Sequence, residues 1–273
     1  MIRCGFNFNA AVWRRGNMEH ELYVKQLTED VYLLDEDHEV SGYLVVGDTK
    51  ACVIDTMNGY TDLKAAVRKI TDKPVILVNT HGHPDHIHGN YHFDEAFMNP
   101  KDLPLAETFI KDPEYQKILD EHNGVFPPFK PIKGGDVIDL GGRHLYVYDL
   151  PGHTLGGILL LLKEERILFT GDAINHHLWM MFEDCPKMDE FVKSLDKVMF
   201  LEKEADRILH GHARGFDDIS LMRCLREGAL EIAEGKTEND LPYEWFGGVS
   251  KQHAFKLEAG KEYTQEDSVI CYG

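Results

Sequence analysis

Short apolar runs alternate with polar turns along the chain, and their order divides most of it into two similar halves. In the first half, strand-like runs, an amphipathic helix and a further strand are predicted over 31–34, 43–46, 51–54, 61–70 and 75–78. In the second half, four strands, a helix and a final strand are predicted over 137–140, 145–148, 158–162, 167–169, 188–200 and 207–209. Asp62 and Asp189 lie near the starts of the two predicted helices, where the helix dipole favours an anion. This repeated order predicts a mixed α/β fold.

Two segments lie outside this repeat. Residues 99–135 are rich in proline and aromatic residues, and would form either a lid beside the active site or a plain connection. After a helix predicted over 217–233, Trp245 and Phe246 stand beside paired glycines and would close a pocket, contact another subunit or pack the end of the chain. The predicted organisation is an N-terminal arm over 1–21, a main domain over 22–236 and a C-terminal extension over 237–273 packed on that domain.

Composition narrows the classes of partner. The formal net charge is −18, from 29 Lys and Arg against 47 Asp and Glu. Since nucleic-acid binding depends on basic residues that neutralise phosphates, we expect a small-molecule substrate and no nucleic-acid partner. No apolar run reaches the roughly 18 residues of a membrane span, so we expect no membrane partner either. The 5 cysteines include no C-x-x-C pair, and the N-terminus lacks a secretory pattern, which indicates reduced thiols and a cytoplasmic location.

The candidate chemistry is concentrated in the run His81-Gly82-His83-Pro84-Asp85-His86, which follows the predicted strand over 75–78. Three imidazoles and a carboxylate this close would repel one another if charged and lose solvation if buried, whereas a divalent metal ion removes both costs. The C-terminal end of a strand is also where α/β sheets place active sites. A surface run of histidines that binds nickel or copper adventitiously is the plainer alternative, but the length and position of the motif favour a metal site.

Three later turns carry further side chains able to bind a metal. His153, Asp172 and His212 each follow a glycine shortly after an apolar run, and His210 precedes the last of these glycines. Glycine lets the backbone bend sharply and approach an ion closely. Each turn alone is ordinary, but their succession after the histidine run predicts that they complete one site.

Together these motifs resemble a known family, the metallo-β-lactamase-fold metallo-hydrolases, in the branch of glyoxalase II and the lactonases. The resemblance covers residues 22–215 and includes the runs over 42–47 and 51–56. It implies an αββα four-layer sandwich that carries two divalent metal ions. The ligands implied for the first metal are His81, His83 and His153. Those implied for the second are Asp85, His86 and His212, with Asp172 as a bridge. His210 competes with His212 for the last position, and the family's use of the histidine after the glycine favours His212.

The resemblance also implies the chemistry. A hydroxide that bridges the two metals would cleave a small ester-like bond in a thioester, a lactone or a carboxylic ester. Asp85 would have a catalytic role besides ligation, because its free oxygen can orient the hydroxide and relay a proton. The bridging Asp172 disfavours antibiotic hydrolysis, since β-lactamases of the family generally lack it. Zinc is the first expectation for both ions, with iron and manganese left open.

Alternatives from other classes stay open. A phosphodiesterase would use the same residues, and an iron-dependent oxidoreductase similar to a sulfur dioxygenase would hold iron in them. A metal-binding protein without turnover is the third alternative. His176 and His177 follow Asp172 and would line the pocket or donate a proton to the leaving group, while His210 would contact a ligand from behind.

Overall fold

Two β-sheets packed face to face form the centre of the protein, in a computed structural model that describes residues 20–273. The strands of the first sheet, in spatial order, are β1 (Leu22–Gln26), β2 (Val31–Glu36), β3 (Val40–Val46), β4 (Ala51–Ile54), β5 (Val75–Val78), β6 (Ala96–Met98) and β7 (Phe129–Pro131). They pair antiparallel from β1 to β4 and parallel from β4 to β7. The predicted arm over 1–21 lies outside the described residues except at its last two positions.

The second sheet has one parallel pair among antiparallel ones. Its strands, in spatial order, are β14 (Asp217–Asp218), β13 (Arg207–His210), β11 (Ile167–Gly171), β10 (Ile158–Leu162), β9 (His144–Asp149) and β8 (Val137–Asp139). The parallel pair is β11 with β13. It mirrors the parallel pair of β4 with β5 in the first sheet.

Helices cover the outer faces of both sheets. The described chain contains α1 (Leu63–Ile70), α2 (Pro84–Ile87), α3 (Leu103–Ile110), α4 (Pro113–Glu121), α5 (Met188–Val198) and α6 (Leu221–Ala233). Between the sheets, Val45 and Ile54 belong to the same buried apolar cluster as Leu160 and Phe169. Buried side chains of α1 pack on the outer face of the first sheet, and those of α5 and α6 pack on the outer face of the second. These layers confirm the αββα sandwich.

Both predicted β-α-β units are present. The first is β4-α1-β5 and the second is β11-α5-β13. Asp62 caps α1, since its carboxylate accepts a hydrogen bond from the backbone nitrogen of Ala65 at 2.9 Å, and Asp189 lies in the first turn of α5. Each unit ends in a parallel strand, and the loops that carry the histidine motifs follow those two strands.

A third sheet joins the end of the chain to the middle, and the sequence pattern did not predict it. Its strands, in spatial order, are β12 (His177–Met180), β17 (Val269–Tyr272), β16 (Gly248–Ala254) and β15 (Leu241–Trp245). β12 pairs with β17 in parallel. Phe255 and Ile270 pack into the apolar cluster that includes the buried face of α6. The C-terminal segment therefore shares a sheet with a strand that begins five residues after Asp172.

One predicted helix differs in its bounds. The helix predicted over 217–233 begins only at Leu221, because Asp217 belongs to β14 and its carboxylate is buried. The segment 99–135 contains α4, and Tyr115 of α4 donates a hydrogen bond to the carbonyl of His88 at 2.6 Å. The segment 99–135 also contains α3 and the sheet strand β7. Within residues 20–273, no helix is both long and apolar enough to cross a membrane.

We predict that Leu160→Ala destabilises the protein by about 3 kcal/mol, because Leu160 is fully buried between the sheets and truncation leaves a cavity there. Urea unfolding followed by circular dichroism measures the change. Leu241→Ala is the matched control, since this leucine is 61% exposed and its truncation should leave the midpoint almost unchanged. Equal shifts in the two variants would contradict this account of the core.

Candidate metal centre

The loops after β5, β9, β11 and β13 meet at one edge of the two sheets and bring every predicted ligand together. Ligand atoms lie within 4.8 Å of one another in each of three groups: His81, His83 and His153; His81, His86 and Asp172; Asp85, His86 and His212. The groups share members, so they form one continuous cluster. All seven residues implied by the resemblance are in it.

Asp172 lies between the two halves of this cluster. Its Oδ2 is 3.0 Å from His212 Nε2 and 3.6 Å from His86 Nε2 on one side. On the other side the same oxygen is 3.8 Å from His153 Nε2. His153 Nε2 is in turn 2.8 Å from His83 Nδ1. One carboxylate therefore faces imidazoles from both predicted ligand sets, which is the geometry expected of a bridge.

Hydrogen bonds on the far side of the rings fix which nitrogens face inward. Asp55 accepts a hydrogen bond from Thr80 Oγ1 at 2.7 Å, so this hydroxyl is left to accept from His81 Nδ1, which lies 3.0 Å away. The same carboxylate lies 2.9 Å from His86 Nδ1. With their Nδ1 atoms donating, His81 and His86 turn their Nε2 atoms toward the centre of the cluster.

Backbone carbonyls do the same for two further rings. His153 Nδ1 donates to the carbonyl of Trp179 at 2.7 Å, and His212 Nδ1 donates to the carbonyl of Glu39 at 2.7 Å. The Nε2 atoms of both rings therefore also point into the cluster. Such partners behind a ligating imidazole orient the ring and increase its basicity.

Several atoms at the centre are buried without a hydrogen-bond partner among the described residues. They are Nε2 of His81, Nε2 of His86 and Oδ1 of Asp172. Buried polar atoms left unsatisfied each cost on the order of 1–3 kcal/mol. Imidazole nitrogen and carboxylate oxygen are ligands that zinc and similar divalent ions accept, so the donor set fits such an ion.

The charges of the cluster also suit a cation. Burial, followed by neighbouring imidazoles, lowers the pKa of His81 and of His83 well below the usual value and keeps both rings neutral. For Asp172, burial favours the neutral acid, but His212 and His86 outweigh it and hold the pKa of this carboxyl well below its usual range. For His86 and His212, burial favours the neutral ring, but the carboxylates of Asp85 and Asp172 outweigh it and raise the pKa, to about 9 for His212. A metal ion would therefore displace a proton from each of these two rings as it binds.

Close backbone approach explains the glycines beside two ligands. A Cβ atom on Gly171, whose φ is +49°, would lie 2.3 Å from Thr80 Oγ1. A Cβ atom on Gly211 would lie 2.4 Å from Asp172 Oδ1 and 2.5 Å from His86 Cε1. Any larger residue at either position would displace the cluster.

Asp102, which no sequence motif singles out, joins two of the ligand loops. Its Oδ2 accepts hydrogen bonds from Gly82 N at 3.0 Å and from Thr154 Oγ1 at 2.7 Å, while its Oδ1 accepts one from Gly156 N at 2.5 Å. Gly82 lies between His81 and His83, and Thr154 follows His153. The buried carboxylate therefore holds the first three ligands in register, although burial raises its pKa.

Asp217 plays a similar part behind the last ligand. Its two carboxylate oxygens lie 3.1 Å from His176 Nε2 and 3.2 Å from His210 Nε2. It also accepts a hydrogen bond from Thr264 N at 2.5 Å, in the C-terminal segment. His210 Nδ1 accepts a hydrogen bond from the backbone nitrogen of His212 at 3.2 Å, so its Nε2 carries the proton and faces the Asp217 carboxylate. His176 and His210 are therefore buried behind the site, and His212 is the histidine that faces it.

A cavity of about 420 Å³ opens over the cluster. It is lined by Glu39, Val40, Asn58, His83, Pro84, Asp85, His153, Asp172, His177, Trp179, Phe182, His212, Tyr243 and Phe246. His177 thus lines the pocket as predicted, with its Nε2 3.3 Å from the buried thiol of Cys271. Among these lining residues none comes from 99–135, and the C-terminal segment supplies two aromatic side chains instead.

Asp102→Asn should weaken metal binding roughly 10–100-fold, because an amide nitrogen cannot accept a hydrogen bond from a backbone N–H and the two ligand loops would lose their link. Competition with a chelator measures the affinity. Asp112→Asn is the matched control: Asp112 caps α4 in the same segment, and asparagine caps a helix equally well. Equal affinities for the two variants would show that Asp102 does not position the ligands.

Asp217→Asn should lower stability by about 3 kcal/mol, since it leaves one of its buried donors unpaired. Its neighbour provides the control, because Asp218 is partly exposed and Asp218→Asn retains an oxygen for the backbone nitrogen of Ser220. Thermal unfolding of the two metal-free variants makes the comparison. A stability loss no larger in Asp217→Asn than in Asp218→Asn would show that the contacts of the Asp217 carboxylate do not stabilise the fold.

Known proteins agree with this architecture. The Metallo-beta-lactamase superfamily model matches residues 36–212. Acyl-coenzyme A thioesterase MBLAC2 of Gallus gallus is 27% identical over 230 residues, which cover 73% of this chain and 83% of that protein. The protein of the same name from Homo sapiens is 26% identical over 236 residues, with 73% and 84% covered. Hydroxyacylglutathione hydrolase of Hyphomonas neptunium is 34% identical over 135 residues, which cover 49% of this chain and 47% of that one.

Solved structures share the fold at lower identity. A metallo-beta-lactamase from Pontibacter korlensis has a TM-score of 0.59 at 18% identity, over 77% of this chain and 99% of that chain. This likeness extends to the architecture alone. The family match spans well over half of the sequence and includes the whole histidine cluster, and the chain therefore belongs to the metallo-beta-lactamase superfamily.

Proposed function

We propose that this protein is a dinuclear metal-dependent hydrolase that cleaves a thioester or a related ester. The observation that carries the proposal is the position of Asp172, whose carboxylate faces imidazoles of both ligand sets. The chain's similarity to proteins named acyl-coenzyme A thioesterase and hydroxyacylglutathione hydrolase supports a thioester in first place, ahead of a lactone or carboxylic ester.

The residues divide into two ligand sets. The first metal would be held by His81, His83 and His153. The second would be held by Asp85, His86 and His212, with Asp172 shared. Two divalent ions so held would supply Lewis acidity and lower the pKa of a shared water toward neutrality, and zinc is the ion that this donor set suits first.

Asp85 is placed to move the proton. Its Oδ2 lies 3.6 Å from His86 Nε2 and 3.7 Å from His212 Nε2, and its carboxylate is part of the cavity wall. It can therefore accept a proton from the attacking water and return it as the bond to the leaving group breaks. With a thioester this second transfer is not required, because a thiol with a pKa of about 8.5 leaves as the thiolate.

His177 fits this assignment without acting as an acid. Burial, with a smaller contribution from His212, lowers the pKa of His177, so the ring is neutral near pH 7. A thiolate does not need protonation in order to leave, whereas an alkoxide does. A neutral imidazole at this wall of the cavity is consequently better suited to a thioester than to an alkyl ester.

Phosphodiester cleavage fits the cavity less well. The lining residues include the carboxylates of Glu39, Asp85 and Asp172, and no Lys or Arg is among them. Sites that bind phosphate usually supply such cations beside any metal. We therefore rank a phosphodiesterase below the thioester hydrolase.

The test begins with elemental analysis of full-length protein purified without a histidine tag from cells supplied with metals. We expect two zinc ions per chain and hydrolysis of thioesters. Asp172→Asn should lose roughly 100-fold or more in kcat and bind fewer ions, since its bridging oxygen is removed. Asp184→Asn, on an exposed residue of the following loop, is the control and should retain both properties.

Other outcomes would change the assignment. One tightly bound ion with full activity would overturn the dinuclear site while leaving a hydrolase. Iron in place of zinc, without thioester hydrolysis, would favour the oxidoreductase reading. Metal-loaded protein inert toward thioesters, lactones and carboxylic esters would overturn the proposed function.

A further inference from the structure

Four aromatic side chains form a continuous surface along one side of the cavity, which we call the aromatic wall: Trp179, Phe182, Tyr243 and Phe246. The Trp179 ring centroid lies 5.9 Å from that of Phe182, 6.2 Å from that of Tyr243 and 5.9 Å from that of Phe246. These distances are those of aromatic rings in contact. The wall is therefore one apolar surface rather than four separate side chains.

The wall begins at the metal ligands. The Phe182 ring centroid is 5.4 Å from that of His83 and 6.2 Å from that of His153. Trp179 holds the His153 ring through its backbone carbonyl. A substrate group that lies on the wall would consequently be only a few covalent bonds away from the scissile bond held at the ligand cluster.

The outer end of the wall comes from the C-terminal segment. Tyr243 belongs to β15, and Phe246 lies in the tight turn between β15 and β16. Phe246 lines the cavity and is still 43% exposed, so a bound group could cover more of this ring. The third sheet holds this turn against the cavity through the pairing of β12 with β17.

Charge decides which half of a thioester the wall can accept. The cavity lining has no Lys or Arg, and it includes the carboxylate residues Glu39, Asp85 and Asp172. With a formal net charge of −18, the protein also disfavours anions in general. In a thioester of a polar or anionic carrier thiol, the acyl group is the part that is apolar.

We infer that the aromatic wall binds an apolar acyl group of the substrate, and that the carrier thiol extends from the cavity toward solvent. The inference rests on the proposed function and adds the substrate class: thioesters of medium-length aliphatic or aromatic acids rather than of acetate or of polar acids. A cavity of about 420 Å³ lies within the usual range for binding a group of this size. Phe246, at the outer end of the wall, would contact the far end of a longer acyl group and so make the enzyme prefer such groups.

Acetyl and octanoyl thioesters of N-acetylcysteamine test the inference on the zinc-loaded full chain, because they differ only in the acyl group. We expect kcat/KM to be at least about tenfold higher for the octanoyl thioester. Phe246→Ala should reduce this octanoyl-to-acetyl ratio by about tenfold. Val249→Ala is the matched control, because Val249 lies in the same hairpin, is 70% exposed and does not line the cavity, so the ratio should stay as in the unmodified protein.

A binding measurement separates this inference from the proposed function. The S-octyl thioether of N-acetylcysteamine cannot be hydrolysed, and calorimetry should show that it binds more weakly to Phe246→Ala than to Val249→Ala. If that holds while no thioester is cleaved, the proposed function fails and the apolar subsite stands. If thioesters are cleaved with an octanoyl-to-acetyl ratio near one, or with a ratio that Phe246→Ala leaves unchanged, the hydrolase stands and the acyl assignment is overturned. In S-octyl thioacetate the octyl group is on the thiol half of the molecule. If its kcat/KM equals that of the octanoyl thioester, the assignment of the wall to the acyl half is likewise overturned.

Discussion

The hydrogen bonds behind the imidazoles are the constraint on which the rest of the site depends. Asp55 alone fixes two ligands, directly through His86 and indirectly through the hydroxyl that accepts from His81. With the outer nitrogens held by hydrogen bonds, the inner Nε2 atoms face the centre, where several are buried together with a carboxylate. Such an arrangement is costly by itself and becomes favourable when a cation is bound. The fold therefore favours the binding of a divalent metal ion at this cluster.

The sequence predicted this centre because its signals are local. The motif from His81 to His86 is contiguous, and each later ligand follows a short apolar strand that ends in a glycine turn. The β-α-β units could be predicted for the same reason, since their strands and helices have clear periodicity. Asp102 and Asp217 could not, because a carboxylate that accepts backbone hydrogen bonds from distant loops looks like any surface acid in the sequence. The helix predicted from 217 was placed too early on that account.

The third sheet was not predicted for a different physical reason. One of its pairings joins His177 to Val269, so the evidence for this sheet is spread over most of the second half of the chain. Neither strand is strongly periodic, and β12 contains a histidine and a tryptophan that are typical of many environments. Trp245 and Phe246 were recognised as unusual, but sequence alone left a pocket, a subunit contact and terminal packing open. Phe246 lies at the pocket, and a subunit contact remains a prediction.

Metal binding and substrate recognition are joined at Trp179, but through different atoms. Its backbone carbonyl orients His153, while its ring contacts the aromatic side chains that line the cavity. A carbonyl is present whatever the side chain, so the aromatic wall can be altered without removing the hydrogen bond that a ligand needs. The buried Asp217 carboxylate contacts both Thr264 of the C-terminal segment and His210 of β13, the strand that precedes His212. These contacts do not involve the aromatic wall. Substrate preference can thus change through side chains of the third sheet while the metal ligands stay in place. At Trp179 the ring serves the first task and the backbone carbonyl serves the second.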